Sequence, residues 1–534
     1  NLFRVLNPAV LLDKYNTNTA AGFISAQERK EENNMKKFYR IGALAMSLII
    51  AASVCGCGTK KDGSKGGKTD SNSSGSGVHA EKAGLFDERK PDESKDPLKK
   101  GIDLDGYEFV IMDFNESPWT RTSNGSQADN ARVEMLKKIE DELNCTITYK
   151  YSPYSKYFST YQTSIMSGKK VADVLTPTMY EVGAFINSGL AVDVNKIPNL
   201  NLNNEYWNHA LVDMTAVNGK SYMLNCDIYP HWLGTLNINF NKNIIKELGL
   251  ESPYELVKKG EWTIDKYIEY AKAAKKDLDG VAGFGNKDRY GIAGTGWGTS
   301  YLFHGSGIPV LKYDNDLKKV VFNFKPTKTS PVNEQAINVI NKLKDIGING
   351  ENLTPTLDTD DYTTQQKYFA NGQALFFTTM TRTIFLEMSD FLRNMKDDWG
   401  ILPLPNLGGK EYNCLVDNNM ATMIVPISNK DLDKTGTILD AIAYHSYYDY
   451  EPLFAQWLAD TYFRDDESYE MLELIYQNMY YDIFMAVGTS DKRLWDIESE
   501  IIVGSATNKG YDPAQAIAKL EDSIRTAVDE FYGK

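Results

Sequence analysis

The sequence is poor in cysteine and histidine, with five of each among its 534 residues. Beyond the N-terminal region the cysteines are far apart, at Cys145, Cys226 and Cys414. The histidines are scattered as well, at His79, His209, His231, His304 and His445. These spacings do not indicate a zinc cluster or another metal site, and no cofactor is expected. A disulfide among the three distant cysteines would leave at least one thiol free.

The chain also lacks an excess of basic residues. Lys and Arg total 58 against 72 Asp and Glu, and the part from Cys57 onward keeps 51 basic and 68 acidic residues. Such an acidic chain is a poor partner for nucleic acid or for an anionic membrane surface. The length predicts two or more domains or lobes. The aromatic content of 12% suits stacking against flat ligand faces, although core packing uses aromatic residues too.

The N-terminal region has no apolar run long enough to cross a membrane. The run at 41–52 is shorter than the ~20 residues that a spanning helix needs. It follows a basic stretch at 36–40, an order typical of a bacterial secretory signal, here residues 35–56. Val-Cys-Gly-Cys at 54–57 resembles a lipobox, which predicts that Cys57 is lipid-modified. An ordinary signal peptide or an uncleaved anchor is the alternative.

Two further N-terminal segments are not expected to belong to the fold. Arg-Lys-Glu-Glu at 29–32 can be back-translated into a purine-rich ribosome-binding sequence just before the Met35 codon. Residues 1–34 are therefore predicted to be an untranslated leader read as protein, with a real N-terminal extension as the alternative. Residues 57–103 are predicted to be a flexible tether behind the lipidated cysteine, because their Gly/Ser/Lys/Asp-rich first part cannot bury enough apolar surface to fold.

Strands and helices alternate in the first part of the predicted fold. Apolar patterns predict strands at 109–112, 146–151 and 172–175, and helices at 129–143 and 154–167. Such alternation predicts βαβ units, a parallel sheet and an α/β fold class. Ligands of these sheets bind beyond the carboxyl ends of the strands, here in the loop 115–119 and just after Asp173.

The pattern changes beyond residue 218. Extended segments are predicted at 221–224, 233–240, 374–378, 399–402 and 421–425, and helices at 242–248, 263–275, 333–345, 361–371 and 513–532.

Short motifs follow one another in this second part. They are Asn-Gly-Lys-Ser-Tyr-Met-Leu at 218–224 with Leu-Asn-Ile-Asn-Phe-Asn-Lys at 236–242, Tyr-Gly-Ile at 290–292 with Trp297 beyond it, Phe-Ala-Asn-Gly-Gln-Ala-Leu-Phe-Phe at 369–377, and Trp-Gly-Ile-Leu-Pro-Leu-Pro at 399–405. Their order and spacing resemble the family 1 extracellular solute-binding proteins of bacterial ABC importers, which include sugar binders. No single motif is specific, but the resemblance extends over about 430 residues.

The resemblance implies a two-lobed, periplasmic-binding-protein-like fold with hinge-connected lobes and a central ligand cleft. Carried onto this chain, it places lobe one at 104–228 plus 379–446 and lobe two at 236–375 plus 450–534. The hinges would then lie near 229–235, 376–378 and 447–449.

One loop departs from the family. Many relatives carry a calcium-like loop with repeated Asp-Gly before the Tyr-Gly-Ile motif. Here the acidic stretch 277–280 is followed by Val-Ala-Gly-Phe, so the regular spacing of oxygen ligands is broken. A surface turn is therefore expected rather than a calcium site.

A sugar site needs aromatic rings for the apolar faces of the ligand and polar side chains for its hydroxyls. The strand ends and the family map nominate Asn115, Glu116, Trp119, Asp173, Tyr229, Trp232, Trp297, Thr379, Arg382, Asp417 and Asn418. Several of them have a structural alternative. The first three could form a solvated loop, Asp173 could cap or stabilise a turn, Tyr229 and Trp232 could pack in the core at the hinge, and Arg382 could pair with a carboxylate. The aromatic cluster at 444–457 is expected to be helix packing.

The implied activity is binding of an extracellular solute, most simply a sugar or oligosaccharide, by closure of the cleft and its delivery to an ABC permease. No bond is made or broken, so an enzyme is not expected. One alternative is a sensor subunit that presents ligand to a membrane receptor. Another is an extracellular glycoside hydrolase, which needs two carboxylates across the scissile bond. Gly-x-Ser-x-Gly, His-Glu-x-x-His and Walker A motifs are absent from the sequence.

These expectations place the protein outside the cytoplasm. It would be a monomer held on the extracellular face of the cytoplasmic membrane by its lipid anchor alone. The tether and the inferred ribosome site favour a Gram-positive surface.

Overall fold

The structure is a computed structural model that describes residues 82–114, 119–153, 157–314, 317–324, 332–347, 353, 362–387 and 389–533. The predicted leader, the signal peptide and Cys57 lie outside these ranges. By their contacts, residues 77–534 form one unit. None of the described helices combines the length and the apolar character that crossing a bilayer requires.

The first sheet is parallel, as the alternation of strands and helices predicts. Its strands are β1 Tyr107–Asp113, β2 Cys145–Tyr151 and β3 Val174–Thr176, in the order β2-β1-β3. Helix α1 Gln127–Leu143 connects β1 to β2, and α2 Tyr157–Met166 connects β2 to β3. The side chains of β1 alternate between two apolar cores. Phe109 and Ile111 enter one, and Val110 and Met112 enter the other. The sheet is therefore buried on both faces, as the unbroken apolar run predicts.

The helices that follow β3 continue the packing on this sheet and lead to the second one. They are α3 Met179–Asn187, α4 His209–Met214, α5 Lys242–Leu248, α6 Pro253–Lys259 and α7 Ile264–Ala274. In three of them, a capping residue marks the end or the beginning of the helix. Gly249 and Gly260 close α5 and α6 in the left-handed conformation, and the Thr263 side chain accepts a hydrogen bond from Lys266 N at the start of α7.

The second sheet is mixed and has the strand order β5-β8-β4-β9. Its strands are β4 Leu236–Asn241, β5 Tyr290–Ala293, β8 Ala374–Met380 and β9 Trp399–Pro403. Strand β4 pairs with both β8 and β9 in the antiparallel sense, while β5 and β8 are parallel. Around it lie the antiparallel pair β6 Leu311–Asp314 and β7 Lys319–Phe322, and the helices α8 Gly296–Gly305, α9 Val332–Ile346, α10 Tyr362–Ala370 and α11 Ser389–Asn394.

The C-terminal part is largely helical, as predicted. Its regular elements are α12 Leu432–His445, α13 Glu451–Tyr462, α14 Asp466–Gln477, α15 Ile483–Val487, α16 Lys492–Asp496, α17 Val503–Thr507 and α18 Pro513–Tyr532. A short parallel pair joins β10 Cys414–Leu415 to β11 Met479–Tyr480. Helix α12 packs into the core of the first sheet, whereas residues of α13 to α16 and of α18 belong to the core of the second sheet. We call the two bodies the first and second lobe.

The middle crossing between the lobes differs from the predicted one. Residues 376–378 lie inside the buried strand β8, and β9 also belongs to the second sheet, although the family map assigned 379–446 to lobe one. The reason is that β4 has two edges, and its antiparallel partners β8 and β9 fill both. The chain returns to the first lobe only after β10, where Leu175 bridges Ile424 and Leu224 bridges Met423. The predicted strand at 421–425 is therefore a series of isolated bridges.

The N-terminal segment from Lys82 is packed, whereas the predicted tether extends to residue 103. Leu85 is buried in the core of the second lobe and Leu98 in the core of the first. Arg89 and Asp96 are buried as well. The charged composition of this segment suggested solvent exposure, but its charges find buried partners that only the folded chain provides.

The three cysteines of the described chain, Cys145, Cys226 and Cys414, are free and buried. Burial raises the pKa of Cys145 to about 11 and that of Cys226 to about 12. These thiols therefore stay protonated and behave as small apolar side chains.

Candidate functional site

The two lobes meet along helix α3 of the first lobe and α15 of the second. Gly183 of α3 lies so close that a Cβ atom there would be 2.6 Å from the Ala486 carbonyl oxygen. The Asn418 side-chain amide donates to the Met485 carbonyl at 3.1 Å, and the Thr489 hydroxyl donates to the Tyr180 carbonyl. The two lobes are therefore in direct contact here, through both backbone and side-chain groups.

An aromatic cluster lies beside this contact and contains residues of both lobes. Trp297 stacks on Trp495 at 5.7 Å between ring centroids and 20° between planes. Phe484 covers the other face of Trp495 at 6.4 Å and 12°. Tyr180 from the first lobe meets Trp495 edge to face at 5.7 Å. Trp297 and Trp495 are half-buried and Tyr180 is exposed, so part of this aromatic surface is open to a ligand.

The position of Trp297 follows from the start of helix α8. The glycines on both sides of Trp297 favour a loop, but the residue occupies the first turn of a helix. The Thr295 side chain caps that helix by accepting a hydrogen bond from Gly298 N at 3.0 Å. The small residues at 296 and 298 are both buried, and Gly298 has Thr378 of β8 as a neighbour. The glycines therefore allow close packing of α8 and do not form a loop.

A second cluster forms at the carboxyl end of β1. Trp119 Nε1 lies 2.9 Å from Asp113 Oδ2 and 2.6 Å from the Tyr229 hydroxyl, and Tyr229 itself donates to Asp113. The structure thus brings two predicted residues together through Asp113. Burial and the adjacent Asp113 raise the pKa of Tyr229 well above its usual value, so the phenol stays a donor. The loop residues Asn115 and Glu116 lie outside the described residues.

Asp417 and Asn418 lie on the middle crossing segment, next to both lobes. Asp417 N donates to Gly234 O on the first crossing at 2.9 Å, and Asp417 Oδ2 lies 3.4 Å from the Tyr301 hydroxyl of α8. Asn418 O accepts from Tyr180 N at 2.8 Å. These contacts connect the crossing segment to the aromatic cluster, because Tyr301 lies one turn beyond Trp297 on α8.

Three nominated residues lie elsewhere. Asp173 is buried before β3, at the opposite end of the sheet from Asp113, where its carboxylate accepts from Val110 N at 2.8 Å and Tyr107 at 2.6 Å and pairs with Lys170 at 2.9 Å. Trp232 is buried among Phe385, Phe454 and Glu451. Thr379 is buried inside β8 opposite Asn237. Each of the three is held by contacts within the fold, and a contact with ligand stays a prediction for them. Arg382 is half-buried just beyond β8.

Some members of the site escape sequence reasoning. Asp113 ends an apolar run, which is a usable signal for a polar side chain at a strand terminus. Tyr180 lies a few residues after the carboxyl end of β3, so a position beyond a strand terminus is a usable signal for it too. Trp495 and Phe484 are far along the chain and carry no local mark of their proximity to Trp297.

The acidic loop before the Tyr-Gly-Ile motif brings three carboxylates together. Oxygen atoms of Asp277, Asp279 and Asp288 lie within 4.8 Å of one another. Each carboxylate also accepts a backbone N–H of the loop, from Gly280 at 2.7 Å, Val281 at 2.9 Å and Leu278 at 2.8 Å, respectively. These bonds are typical of Asx-type turns. The surface turn expected from the sequence remains a prediction.

His231, on the first crossing, is buried and neutral. Its Nε2–H donates to the Ala421 carbonyl at 2.7 Å, and Nδ1 accepts from the Tyr481 hydroxyl at 2.9 Å. Burial lowers the pKa of His231 to about 4.

Acid is therefore expected to weaken the fold through His231. The unfolded histidine binds a proton below about pH 6.5 while the folded one resists protonation down to about pH 4. Stability is thus lost as the pH falls through this window, by up to about 3 kcal/mol. Urea unfolding at several pH values should show that the free energy of unfolding falls less on acidification for His231→Gln than for the wild type. An equal fall in both proteins would contradict the assignment of this acid sensitivity to His231.

Comparison with known proteins gives both a family and a fold. A family model described as bacterial extracellular solute-binding protein matches residues 124–443. A cyclo/maltodextrin-binding protein solved with maltotetraose is 15% identical with a TM-score of 0.51, covering 79% of this chain and 97% of that one. UspC of M. tuberculosis is 14% identical with a TM-score of 0.50, covering 79% of this chain and 100% of that one. A comparison with curated protein sequences gives no match. The two-lobed α/β fold expected from the sequence is thereby confirmed.

Proposed function

Since this chain belongs to the family of bacterial extracellular solute-binding proteins, we propose that its solute is a carbohydrate, held between the two lobes and delivered to an ABC importer. The neighbour of known structure that holds maltotetraose supports this ligand class. The sugar would be a mono- or oligosaccharide, and the partner in the membrane would be the permease.

The observation that carries the proposal is the aromatic cluster of Trp297, Trp495 and Tyr180 beside the contact between the lobes. The C–H faces of a sugar ring are apolar and stack on such rings, while a few nearby polar groups bind the hydroxyls. Asp417 and Asn418 on the middle crossing, and Asp113 at the end of β1, are the candidates we assign to that polar role. Trp119 and Tyr229 would act by holding Asp113 in place.

Ligand binding would be coupled to lobe closure. A solute that contacts Tyr180 on one lobe and Trp297 on the other has more contacts when the lobes are closed, so it shifts the population toward the closed form. The crossing segments absorb this motion. The family consists of binding proteins, and we propose that this chain carries out no chemical step on its solute.

We further propose that the protein acts at the cell surface as a lipid-anchored monomer. The lipobox-like segment that ends at Cys57 supports the anchor. The acidic net charge, −14 for the whole sequence, does not favour direct adsorption to an anionic bilayer.

The test is a thermal-shift panel of mono- and oligosaccharides, amino acids, peptides and polyamines. A sugar at ~100 times its Kd should add ~2.7 kcal/mol of stability, which corresponds to a shift of several degrees. Trp297→Ala should weaken binding of that sugar by about tenfold or more. The variant loses the ring on which the sugar stacks, and stacking of a flat ligand on one aromatic side chain is worth about 1–3 kcal/mol.

The matched control is Trp457→Ala. Trp457 lies on α13 and is 39% exposed, so its loss should leave the sugar affinity unchanged. Stabilisation by an amino acid or a polyamine but by no sugar would contradict the carbohydrate assignment. Equal loss of affinity in both tryptophan variants would contradict the location of the site.

A further inference from the structure

We propose that Ser300, His304 and Glu498 are positioning residues that hold Trp297 stacked on Trp495. The effect of this arrangement on solute affinity rests on the proposed function. The positioning itself does not, because it concerns two tryptophans that contact each other in the protein alone.

The three residues connect the same two segments as the tryptophan pair. Helix α8 carries Trp297, Ser300 and His304 at positions i, i+3 and i+7, which lie on one side of a helix. The facing segment carries Trp495 and, three residues later, Glu498. Trp297 contacts Trp495, and Ser300 contacts Glu498 with the same offset in sequence. The two contacts therefore follow one another along two segments that run side by side.

Glu498 takes part in both hydrogen bonds of the second contact, one with Ser300 and one with His304. Its Oε1 lies 3.0 Å from the Ser300 hydroxyl, which shares its single proton between this oxygen and the Trp297 carbonyl at 2.8 Å. Its Oε2 lies 3.1 Å from His304 Nε2. One carboxylate is thus held at two points that are four residues apart on α8. A rotation or a slide of α8 relative to Glu498 would break one of the bonds, so the pair fixes the register of the two segments.

The burial of these groups makes the register specific. The side chains of His304 and Glu498 are 0% and 1% exposed. A buried carboxylate that loses its partners carries the full desolvation penalty, so alternative packings of the segments are disfavoured. Glu498 also lies in the π-helical turn Ile497–Ile502 that directly follows α16. Such turns interrupt regular helix geometry and recur at functional sites.

The charges around His304 favour its role as a donor. Although burial opposes protonation, the facing carboxylates of Glu498, Asp482 and Asp417 raise the pKa of His304 above its usual value. The other elements packed on α8 include β10, whose Cys414 is a neutral buried thiol, α9, which contributes apolar side chains to the same core, and α17, whose buried residues Val503, Gly504, Ser505 and Ala506 carry no charge. A donor at Nε2 is what the Glu498 carboxylate requires.

The experiment compares Glu498→Ala with Glu498→Gln. Two stacked indoles give an exciton signal in circular dichroism, which is read without any sugar, and the Trp297→Phe spectrum defines its absence. We expect Glu498→Ala to lose most of this signal. Glu498→Gln should keep it, because the amide oxygen can accept from His304 while its N–H donates to Ser300. Ser300→Ala, a milder change, should lose part of the signal if Glu498→Ala does not fold.

A buried His–Asp contact in the first lobe supplies the matched control. His445 lies 3.3 Å from Asp96, with both side chains nearly inaccessible. Asp96→Ala should lower stability but leave the Trp297–Trp495 signal unchanged. Retention of the signal in both Glu498→Ala and Ser300→Ala would overturn the proposal, as would an equal loss in Asp96→Ala.

The consequence for binding is measured with maltotetraose as the probe. Glu498→Ala should bind it about tenfold more weakly, and Glu498→Gln should bind it within about twofold of the wild type. If the wild type fails to bind this or any other sugar, the carbohydrate assignment fails while the spectroscopic result still decides the positioning. An unchanged affinity in a Glu498→Ala protein that has lost the signal would overturn the effect on binding.

Discussion

Replacing Arg89 by methionine is expected to lower the free energy of unfolding by about 3–5 kcal/mol. The Arg89 side chain is 1% exposed and lies 2.8 Å from a Glu451 oxygen and 3.4 Å from an Asp227 oxygen. It also donates to the Tyr447 carbonyl at 2.9 Å. Methionine fills a similar volume but leaves these buried acceptors without their donor. A buried charge that has lost its partner is the main cost of breaking a buried ion pair.

The location of this cluster makes the effect large. Asp227 precedes the first crossing between the lobes, and Glu451 follows the third. Lys82 reaches the same Asp227 at 2.9 Å, so the N-terminal segment holds both crossings together. The guanidinium also lies over the Tyr447 ring at 4.2 Å, which adds a cation–π contact to the loss.

Urea unfolding followed by fluorescence measures this effect, with Lys137→Met as the control. Lys137 pairs with Asp141 on the surface of α1, and the two side chains are 70% and 63% exposed. Removing that pair should change stability by less than about 1 kcal/mol. Similar losses in the two variants would show that the Arg89 cluster contributes no more than a surface pair.

Trp232→Ala is expected to destabilise the protein by about 3–5 kcal/mol. Sequence analysis placed this residue on the cleft, but the structure buries it at the first crossing, where Phe385 and Phe454 pack around its ring at 6.1 and 6.3 Å. Truncation would leave a large cavity. It would also remove the indole N–H that donates to Glu451 at 3.1 Å.

The comparison with Trp297→Ala separates a core residue from a ligand contact. Trp232→Ala should lower the unfolding midpoint strongly, and sugar affinity measured below that midpoint by calorimetry should be affected mainly through the folded fraction. Trp297→Ala should do the reverse, with a small change in stability and a large one in affinity. A stable Trp232→Ala protein with lost affinity would mean that Trp232 contacts the solute after all.

Local structure was predictable wherever the apolar period is regular. The first strand was predicted at 109–112 and is found at Tyr107–Asp113, and the helix predicted at 129–143 is found at Gln127–Leu143. The strand predicted at 399–402 is Trp399–Pro403. These elements bury one face or one run of apolar side chains, so their apolar pattern along the sequence predicts them.

The candidate site was only partly predictable, because it is assembled from distant segments. Trp119 and Tyr229 were nominated separately, and the residue that joins them, Asp113, was not. Trp297 was nominated, but its partner Trp495 was not, since nothing near Trp495 in the sequence indicates where that helix packs. Strand termini give a signal for polar residues, whereas contacts between helices far apart in the chain give none.

The sequence by itself determined the α/β class, most strands and helices, and the family, and it predicts a secretory signal at the N-terminus. All of these depend on local composition, periodicity or the order of short motifs. Tertiary structure decided which strand edges pair, and so where the chain crosses between the lobes. It also decided that the charged segment after Lys82 is packed, and which aromatic residues are buried in a core or stacked near the surface. The physical reason is that burial and pairing are relations between residues far apart in the chain, and a side chain such as Trp232 or Trp297 acquires its role only from the partners that surround it.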